Sequence, residues 1–154
     1  MSYSTELLDS AVATSHVYPQ TQANLRRAVS TAYYALFHFL ADEACGNWIG
    51  PEQRRKLSRA FEHKQMSDAS KRCAGRYENA LAGTPESDLH SVASAFYQLQ
   101  RRRHTADCDL SKVFSDNEVD LDIRSVRNAF TKWGVIQNEQ IAQDYLFSLL
   151  FKER

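Results

Sequence analysis

The sequence predicts an all-α protein, an antiparallel bundle of about five helices joined by short connections. Helix breakers are scarce, with 5 Gly and 3 Pro among 154 residues, whereas average usage is about 7% and 5%. Apolar residues also recur at helical spacing along most of the chain. At this length we expect one hydrophobic core and a single domain that spans residues 1–154.

The first two helices are predicted from their caps and breakers. Ser2 or Ser4 would cap a first helix that Pro19 ends. A second helix of about seven turns is expected from about Thr21 to Cys45, with Gly46 as its terminator. Because this segment is long and contains neither Gly nor Pro, we expect the second helix at the centre of the bundle.

Two further helices are predicted in the middle of the chain. Pro51 suits the first turn of a third helix, and we expect a break in the helical pattern near residues 66–68. Thr84-Pro85 is a start signal for a fourth helix, which is expected to run to about Arg103. The polar residues 105–115 are predicted to form a loop or a distorted helix end.

A long C-terminal helix is predicted to complete the bundle. Ser115 and Glu118 have the spacing of a capping box, in which each side chain bonds the backbone amide of the other residue. Apolar residues then repeat at alternating intervals of four and three as far as Trp133. We expect Gly134 to kink or divide this helix before Ile141.

Charge and cysteine usage exclude several classes of protein. Lys plus Arg equals Asp plus Glu, 19 against 19, which excludes the overall positive field of a general nucleic-acid binder. Cys45, Cys73 and Cys108 form neither a disulfide framework nor a zinc pattern, and favour reduced thiols. We find no secretory signal, and no apolar run approaches the ~20 residues of a membrane span. We therefore expect a cytoplasmic protein with no membrane partner.

Four polar side chains are expected on the face of the second helix opposite its core stripe. At ~100° per residue, Arg27, Thr31, Tyr34 and His38 fall within about 60° of one another. A cation, a hydroxyl, a phenol and an imidazole on one line would hold a phosphate or face a second subunit. The alternative interpretation is a solvated face or an ordinary subunit contact.

The core stripe of the fourth helix leads directly into an arginine and a carboxylate. Four residues after the apolar Leu99 comes Arg103, and four residues later comes Asp107. A desolvated guanidinium needs a partner, and Asp107 lies within reach if the helix continues. One interpretation is that Asp107 orients Arg103 for bidentate contact with a phosphate. The other is a salt bridge that only fixes the helix end.

Two short basic segments complete the candidate set. Residues 101–104 form the run Arg-Arg-Arg-His, which would meet RNA or acidic groups, although a solvated helix end is the simpler interpretation for Arg101 and Arg102. His63 and Lys64 are placed at the end of the third helix, where they would favourably meet the helix dipole. The sequence contains no glycine-rich phosphate loop, paired-cysteine metal site or nucleophile elbow, so we expect neither a cofactor nor a bound metal.

Three segments together resemble the HEPN family of small prokaryotic helical domains. They are Ala32-Tyr-Tyr-Ala-Leu-Phe-His38 preceded by Arg26-Arg27, then His63-Lys64, then Arg103-His-Thr-Ala-Asp107. The resemblance extends over roughly residues 20–150, and Cys108 stands where a tyrosine is common in the family. It implies a homodimeric bundle, often encoded beside a minimal nucleotidyltransferase. In many members it also implies a metal-independent ribonuclease that acts as a toxin or in phage defence.

The resemblance leaves the activity open, because the residue pair typical of the active family members is absent. That pair is an arginine followed, after about four to six residues, by a histidine, and none of the 5 histidines here follows an arginine at that spacing. We therefore expect a HEPN-like dimeric module that binds RNA, a nucleotide or a partner protein, such as a nucleotidyltransferase-type antitoxin, in a toxin–antitoxin or phage-defence system.

The alternatives are a metal-independent endoribonuclease and a purely structural bundle. The ribonuclease would use Arg103 with His104, or with His38 from the neighbouring helix, as a non-standard pair. The candidate catalytic residues are accordingly Arg103, His104 and Asp107, and the candidate ligand-binding residues are Arg27, Tyr34, His38, His63 and Lys64. A structural bundle would use the same polar residues only as satisfied core and interface groups.

Overall fold

The computed structural model describes residues 2–46 and 50–152, and these residues form seven α-helices and no strand. The all-α class is confirmed. The helices are α1 (Tyr3–Ser15), α2 (Gln22–Cys45), α3 (Pro51–Ser58), α4 (His63–Arg76), α5 (Pro85–Cys108), α6 (Asp116–Ile136) and α7 (Gln140–Leu150).

Helices α2 and α5 form the centre of the bundle. Helix α2 packs against α1, α5 and α6, whereas α5 packs against α2, α4 and α6, and α7 covers α4. The central position predicted for the second helix is therefore correct. The helices enclose one apolar core, whose largest fully buried side chains include Tyr33, Leu36, Leu40, Phe96, Leu99 and Trp133.

Most of the predicted helix ends are present. The hydroxyl of Ser2 accepts a hydrogen bond from the Thr5 amide at the start of α1, and Gly46 follows the last residue of α2. At the start of α6 the Ser115 hydroxyl accepts from the Glu118 amide at 3.2 Å, while the Glu118 carboxylate accepts from the Ser115 amide at 2.7 Å. This reciprocal pair is the predicted capping box.

The predicted break near residues 66–68 is wrong. Those residues lie inside α4, and the chain breaks earlier, at residues 59–62 between α3 and α4. Helix α3 has no buried residue, whereas Phe61 and Met66 are both buried. The chain therefore turns where it passes from the exposed helix into the core. As a result, His63 and Lys64 begin α4 rather than end α3, so the predicted favourable contact with a helix C-terminus is also wrong.

Two other boundaries differ from the prediction. Helix α5 continues past Arg103 to Cys108, because Ala106 is buried and anchors another turn. The C-terminal helix is divided before Ile141, as in one of the two predicted outcomes, but the division does not fall at Gly134. The chain passes through Gly134 without interruption and breaks after Ile136, which is itself buried, before α7 begins. The described residues therefore form seven helices rather than the expected five.

Side chains of α2 hold the connection between α5 and α6. Arg26 donates from its guanidinium to the carbonyls of Ala106 and Lys112. The amide of Gln22 donates to the Phe114 carbonyl at 2.8 Å, and the Phe114 backbone N–H donates back to the Gln22 side-chain oxygen at 2.9 Å. The connection is thus fixed to the first turns of α2.

Among the described residues, no helix is both long and apolar enough to cross a bilayer. The three cysteines are free thiols, of which Cys45 and Cys73 are buried and Cys108 is exposed.

Candidate anion-binding site

The candidate site lies where the middle of α2, the start of α4 and the end of α5 meet. Helix α2 contributes Tyr33, Tyr34 and His38, helix α4 contributes its first residue, His63, and α5 contributes Arg103. These five residues are called the Arg103 cluster below. The predicted extension of the α5 core stripe explains the position of Arg103, because that stripe faces α2.

The Arg103 guanidinium lies against two tyrosine rings and one carboxylate. Its Cζ is 5.1 Å from the ring centroid of Tyr33 and 5.6 Å from that of Tyr34, both within cation–π range. Nη1 donates to the Tyr34 hydroxyl at 3.3 Å and lies 3.5 Å from a carboxylate oxygen of Asp107. The Nε–H is buried and has no hydrogen-bond partner among the described residues. Aromatic packing therefore positions Arg103 more firmly than its one long ion pair does.

His63 is oriented by one stacked ring and by a hydrogen bond at one ring nitrogen. The fully buried Tyr33 hydroxyl is 2.6 Å from His63 Nδ1 and shares a proton with it in a hydrogen bond. The ring of Phe37 stacks on the imidazole, with centroids 4.5 Å apart. Because Nδ1 faces Tyr33, the second nitrogen, Nε2, is the one left for a ligand.

His38 lies on the outer side of the cluster, among aromatic rings. The Tyr3 ring of α1 meets the imidazole edge-on with a centroid distance of 5.0 Å, and the Phe37 ring does so at 5.4 Å. The Tyr34 ring centroid is 6.5 Å away, so Tyr34 contacts both His38 and Arg103. Helix α1 therefore forms one wall of the site.

Burial sets the protonation of the two histidines. Burial lowers the pKa of His38, an effect that the charge of Asp42 opposes. Burial also lowers the pKa of His63, and the charges of Arg103 and His38 lower it further. Both imidazoles are therefore neutral at pH 7. Burial raises the pKa of Tyr33, which keeps the phenol protonated.

The neighbouring Arg102 occupies a different environment. It was expected to be solvated, and this expectation is wrong, because its side chain is only 27% exposed. Its guanidinium donates to both carboxylate oxygens of Asp122 on α6, at 2.8 to 3.2 Å. Its Cζ also lies 5.2 Å from the Phe114 ring centroid. Adjacent positions on α5 thus turn one arginine toward α6 and the next toward α2.

The structure brings together five of the eight predicted site residues and separates three. Tyr34, His38, His63, Arg103 and Asp107 surround one another as described above. The structure shows no contact between these five and the other three predicted residues, as far as the described residues extend. Arg27 is exposed on α2, Lys64 forms an exposed ion pair with Asp68, and the exposed His104 ring lies 3.9 Å from the Cys108 sulfur.

Sequence reasoning missed the roles of Tyr33 and Phe37, which it included only in the segment Ala32–His38 that resembles the HEPN family. Tyr33 is fully buried, and its hydroxyl reaches a histidine thirty residues away along the chain. A buried phenol needs a hydrogen-bond partner, which was the available signal. The sequence does not specify which polar group supplies that bond.

Among the described residues, no group of three or more His, Cys, Asp or Glu side chains is arranged to hold a metal ion. The arrangement instead offers a partly desolvated guanidinium, two neutral imidazoles and a phenol, all capable of donating hydrogen bonds to an anion. Comparisons of the chain with protein-family models, with curated proteins and with solved structures find no match.

Proposed function

We propose that this protein binds a phosphate group of RNA or of a nucleotide at the Arg103 cluster, as a binding module. The contrast between two adjacent arginines carries the proposal. Arg102 meets both oxygens of Asp122 at 3.2 Å or less, whereas Arg103 has a single carboxylate oxygen, at 3.5 Å. The charge of Arg103 is the less neutralised of the two. It also lies in a partly desolvated aromatic setting, where charge-assisted hydrogen bonds are stronger than in water.

The surrounding residues suit an incoming phosphate. The Asp107 side chain is 43% exposed and can turn into solvent when a phosphate takes its place beside Arg103. In the tautomer whose Nδ1 accepts from the Tyr33 hydroxyl, the neutral His63 presents an Nε2–H donor, and the neutral His38 presents a further N–H donor. The Tyr34 hydroxyl, which accepts from Arg103, can donate its own O–H to the same anion.

Titration calorimetry with a two-nucleotide RNA, which carries one phosphodiester, tests this proposal. The Arg103→Gln variant should bind at least tenfold more weakly, because a hydrogen bond to a charged group contributes about 1.5–3 kcal/mol. The matched control is Arg127→Gln, which removes an exposed arginine from α6. Equal affinities for the wild type and Arg103→Gln would contradict the proposal.

The resemblance to HEPN domains supports a further part of the proposal. On that basis the protein is a cytoplasmic homodimer that acts with a nucleotidyltransferase-type partner in a toxin–antitoxin or phage-defence system. Light scattering after size-exclusion chromatography measures the mass in solution. Twice the mass of one chain is expected, and the mass of a single chain at micromolar concentration would contradict the dimer.

A metal-independent endoribonuclease is the second candidate, and the neutral histidines favour it. In the tautomer whose Nδ1–H donates to the Tyr33 hydroxyl oxygen, the Nε2 of His63 has a free lone pair and can take the proton from a ribose 2′-hydroxyl. The 2′-oxygen then attacks the phosphorus, and Arg103 stabilises the developing negative charge. The departing 5′-oxygen would take its proton from the minor fraction of His38 that is protonated, because burial lowers the pKa of this imidazole. The geometry favours these two histidines over His104, the partner considered from sequence.

Incubation of RNA with the protein and a chelator tests this second candidate. Cleavage should vanish in His63→Gln and in Arg103→Gln, and should persist in His104→Gln, whose ring lies outside the cluster. Intact RNA with the wild-type protein would contradict the ribonuclease and leave the binding module in place.

A further inference from the structure

The last turn of α5 carries a histidine and a cysteine that take no part in the Arg103 cluster. His104 and Cys108 are four residues apart, so both side chains lie on one face of the helix. Both residues are exposed, and the Nδ1 of His104 faces the Cys108 sulfur at 3.9 Å. These two residues are called the His–Cys pair below. Imidazole nitrogen and thiolate sulfur are the atoms with which proteins most often bind Zn²⁺.

The distance between the two ligand atoms fits a single tetrahedral ion. Zn²⁺ binds a thiolate sulfur at about 2.3 Å and an imidazole nitrogen at about 2.1 Å. At the tetrahedral angle these two bonds place the sulfur and the nitrogen about 3.6 Å apart. The observed separation of 3.9 Å is about 0.3 Å longer. Because both side chains are exposed, a small rotation of either one removes this difference without any change in the helix backbone.

The charges around the His–Cys pair favour a cation. Cys108 is the last residue of α5, and the C-terminal end of a helix carries a partial negative charge. The next residue, Asp109, adds an exposed carboxylate, whose Oδ1 accepts from the Ser111 N–H at 3.0 Å and from the Ser111 hydroxyl at 2.6 Å. The helix dipole and this fixed carboxylate both stabilise a positive ion at the end of α5.

The pair is also open to an ion that arrives from solvent. Cys108 is the one exposed thiol of the protein, since the other two cysteines are buried. Arg101 precedes His104 by one turn, but its guanidinium packs on the ring of Tyr97, with the Cζ 5.7 Å from the ring centroid. Tyr97 lies one turn farther toward the start of α5. The guanidinium is therefore directed away from the His–Cys pair.

We propose that His104 and Cys108 bind one Zn²⁺ ion, with water molecules as its remaining ligands. The Cys108 thiol releases its proton to solvent as the zinc–sulfur bond forms, and the neutral imidazole binds through Nδ1. Nitrogen and sulfur ligands select Zn²⁺ against Mg²⁺ and Ca²⁺, which prefer oxygen. The expectation of no metal site rested on the absence of paired cysteines, a pattern that a single cysteine with a histidine does not follow. This inference is independent of the proposed function.

Titration of the reduced, untagged protein with Co²⁺ tests the inference, because a cobalt–thiolate bond gives a charge-transfer band in the near ultraviolet. The wild type should bind one Co²⁺ per chain with this band, and Cys108→Ser should lack the band. His104→Gln should bind at least about tenfold more weakly, since even the loss of a residue behind a metal ligand costs about 10–100-fold in affinity. The matched control is His16→Gln, which removes another exposed histidine and should bind like the wild type.

Zn²⁺ itself is tested by competition and by hydrogen exchange. Added Zn²⁺ should displace Co²⁺ and abolish the band, whereas an excess of Mg²⁺ should leave the band unchanged. The bound ion would join both ends of the last helical turn, which contains the 2.9 Å hydrogen bond from the Asp109 N–H to the Thr105 carbonyl. The Asp109 amide should therefore exchange its hydrogen more slowly with Zn²⁺ present in the wild type, and at an unchanged rate in Cys108→Ser.

Three results would overturn the inference. The first is a wild-type protein that shows no charge-transfer band with excess Co²⁺. The second is equal affinity of the wild type and His104→Gln, because the ion would then bind the Cys108 thiol without the imidazole. The third is one ion per two chains, which would replace the site completed by water with a site shared between two copies of the His–Cys pair.

Discussion

Replacing Tyr33 by Phe deletes one oxygen atom at a fully buried position. The change removes the 2.6 Å hydrogen bond to His63 Nδ1 and preserves the ring packing. A hydrogen bond contributes about 0.5–1.5 kcal/mol net, and an unsatisfied buried group costs about 1–3 kcal/mol. Because His63 is half-buried, Nδ1 regains water only in part, and we expect the free energy of unfolding to fall by about 1.5 kcal/mol.

Thermal unfolding followed by circular dichroism at pH 7.5 measures this change. For a domain of this size about 1.5 kcal/mol corresponds to a decrease in Tm of about 3–6 °C. Tyr34→Phe is the matched control, since it deletes the same atom one residue later. The Tyr34 hydroxyl is half-buried and accepts only a 3.3 Å bond from Arg103, so a loss below about 0.5 kcal/mol is expected.

A double-mutant cycle with His63→Ala isolates the interaction. The coupling energy between the Tyr33 and His63 substitutions should be about 1 kcal/mol. A coupling energy of zero, or equal losses in Tyr33→Phe and Tyr34→Phe, would refute the reasoning, because the buried hydrogen bond would then contribute nothing beyond ring packing.

Three other predictions concern stability. Because burial lowers the pKa of His63 in the folded protein, the unfolded chain binds that proton first, and the free energy of unfolding should fall as the pH drops below about 6.5. Urea unfolding from pH 8 to pH 5 measures this fall, and His63→Gln should make it shallower; an unchanged slope would exclude His63 as a cause. Asp122→Asn leaves Arg102 without its bidentate partner and should cost about 3 kcal/mol in urea unfolding. A loss under about 1 kcal/mol would show that water or the Glu118 carboxylate, 3.5 Å from Arg102, replaces Asp122. Ser115→Ala removes one half of the capping box and should cost about 1 kcal/mol in the same assay, and no change would indicate that water caps the helix equally well.

Local features of the sequence predicted much of the fold. The capping box at Ser115 and Glu118 and the terminator Gly46 depend on residues within one turn of each other, so their spacing is sufficient to identify them. The same holds for Arg103, whose inward position follows from the periodicity of α5. The break between α3 and α4 was missed because it depends on where Phe61 and Met66 enter the core, which is a property of packing between distant segments.

In the candidate site, too, contacts within one helix were predicted and contacts between helices were not. The pair formed by Arg103 and Asp107 was predicted because four residues of one helix separate its members. The bond between Tyr33 and His63, and that between Arg102 and Asp122, join different helices. The number of residues between the members of each pair does not follow a helical repeat. The periodicity of one helix also does not tell how the neighbouring helix is aligned with it. The residues were therefore identifiable as polar groups in need of partners, whereas the partners themselves were not.

The side-chain amide of Gln22 donates a hydrogen bond to the carbonyl of Phe114 and accepts one from the N–H of Phe114. A loop amide held in this way exchanges its hydrogen with solvent only when the segment opens locally. Opening must also release the Arg26 side chain from two carbonyls, one of them within the last turn of α5. The end of α5 and the start of α2 are thus coupled in one opening unit, so the Phe114 amide should exchange far more slowly than is usual for a loop. Any ligand that reaches Arg103 meets a surface already fixed in place, without a hinge at this end of the bundle.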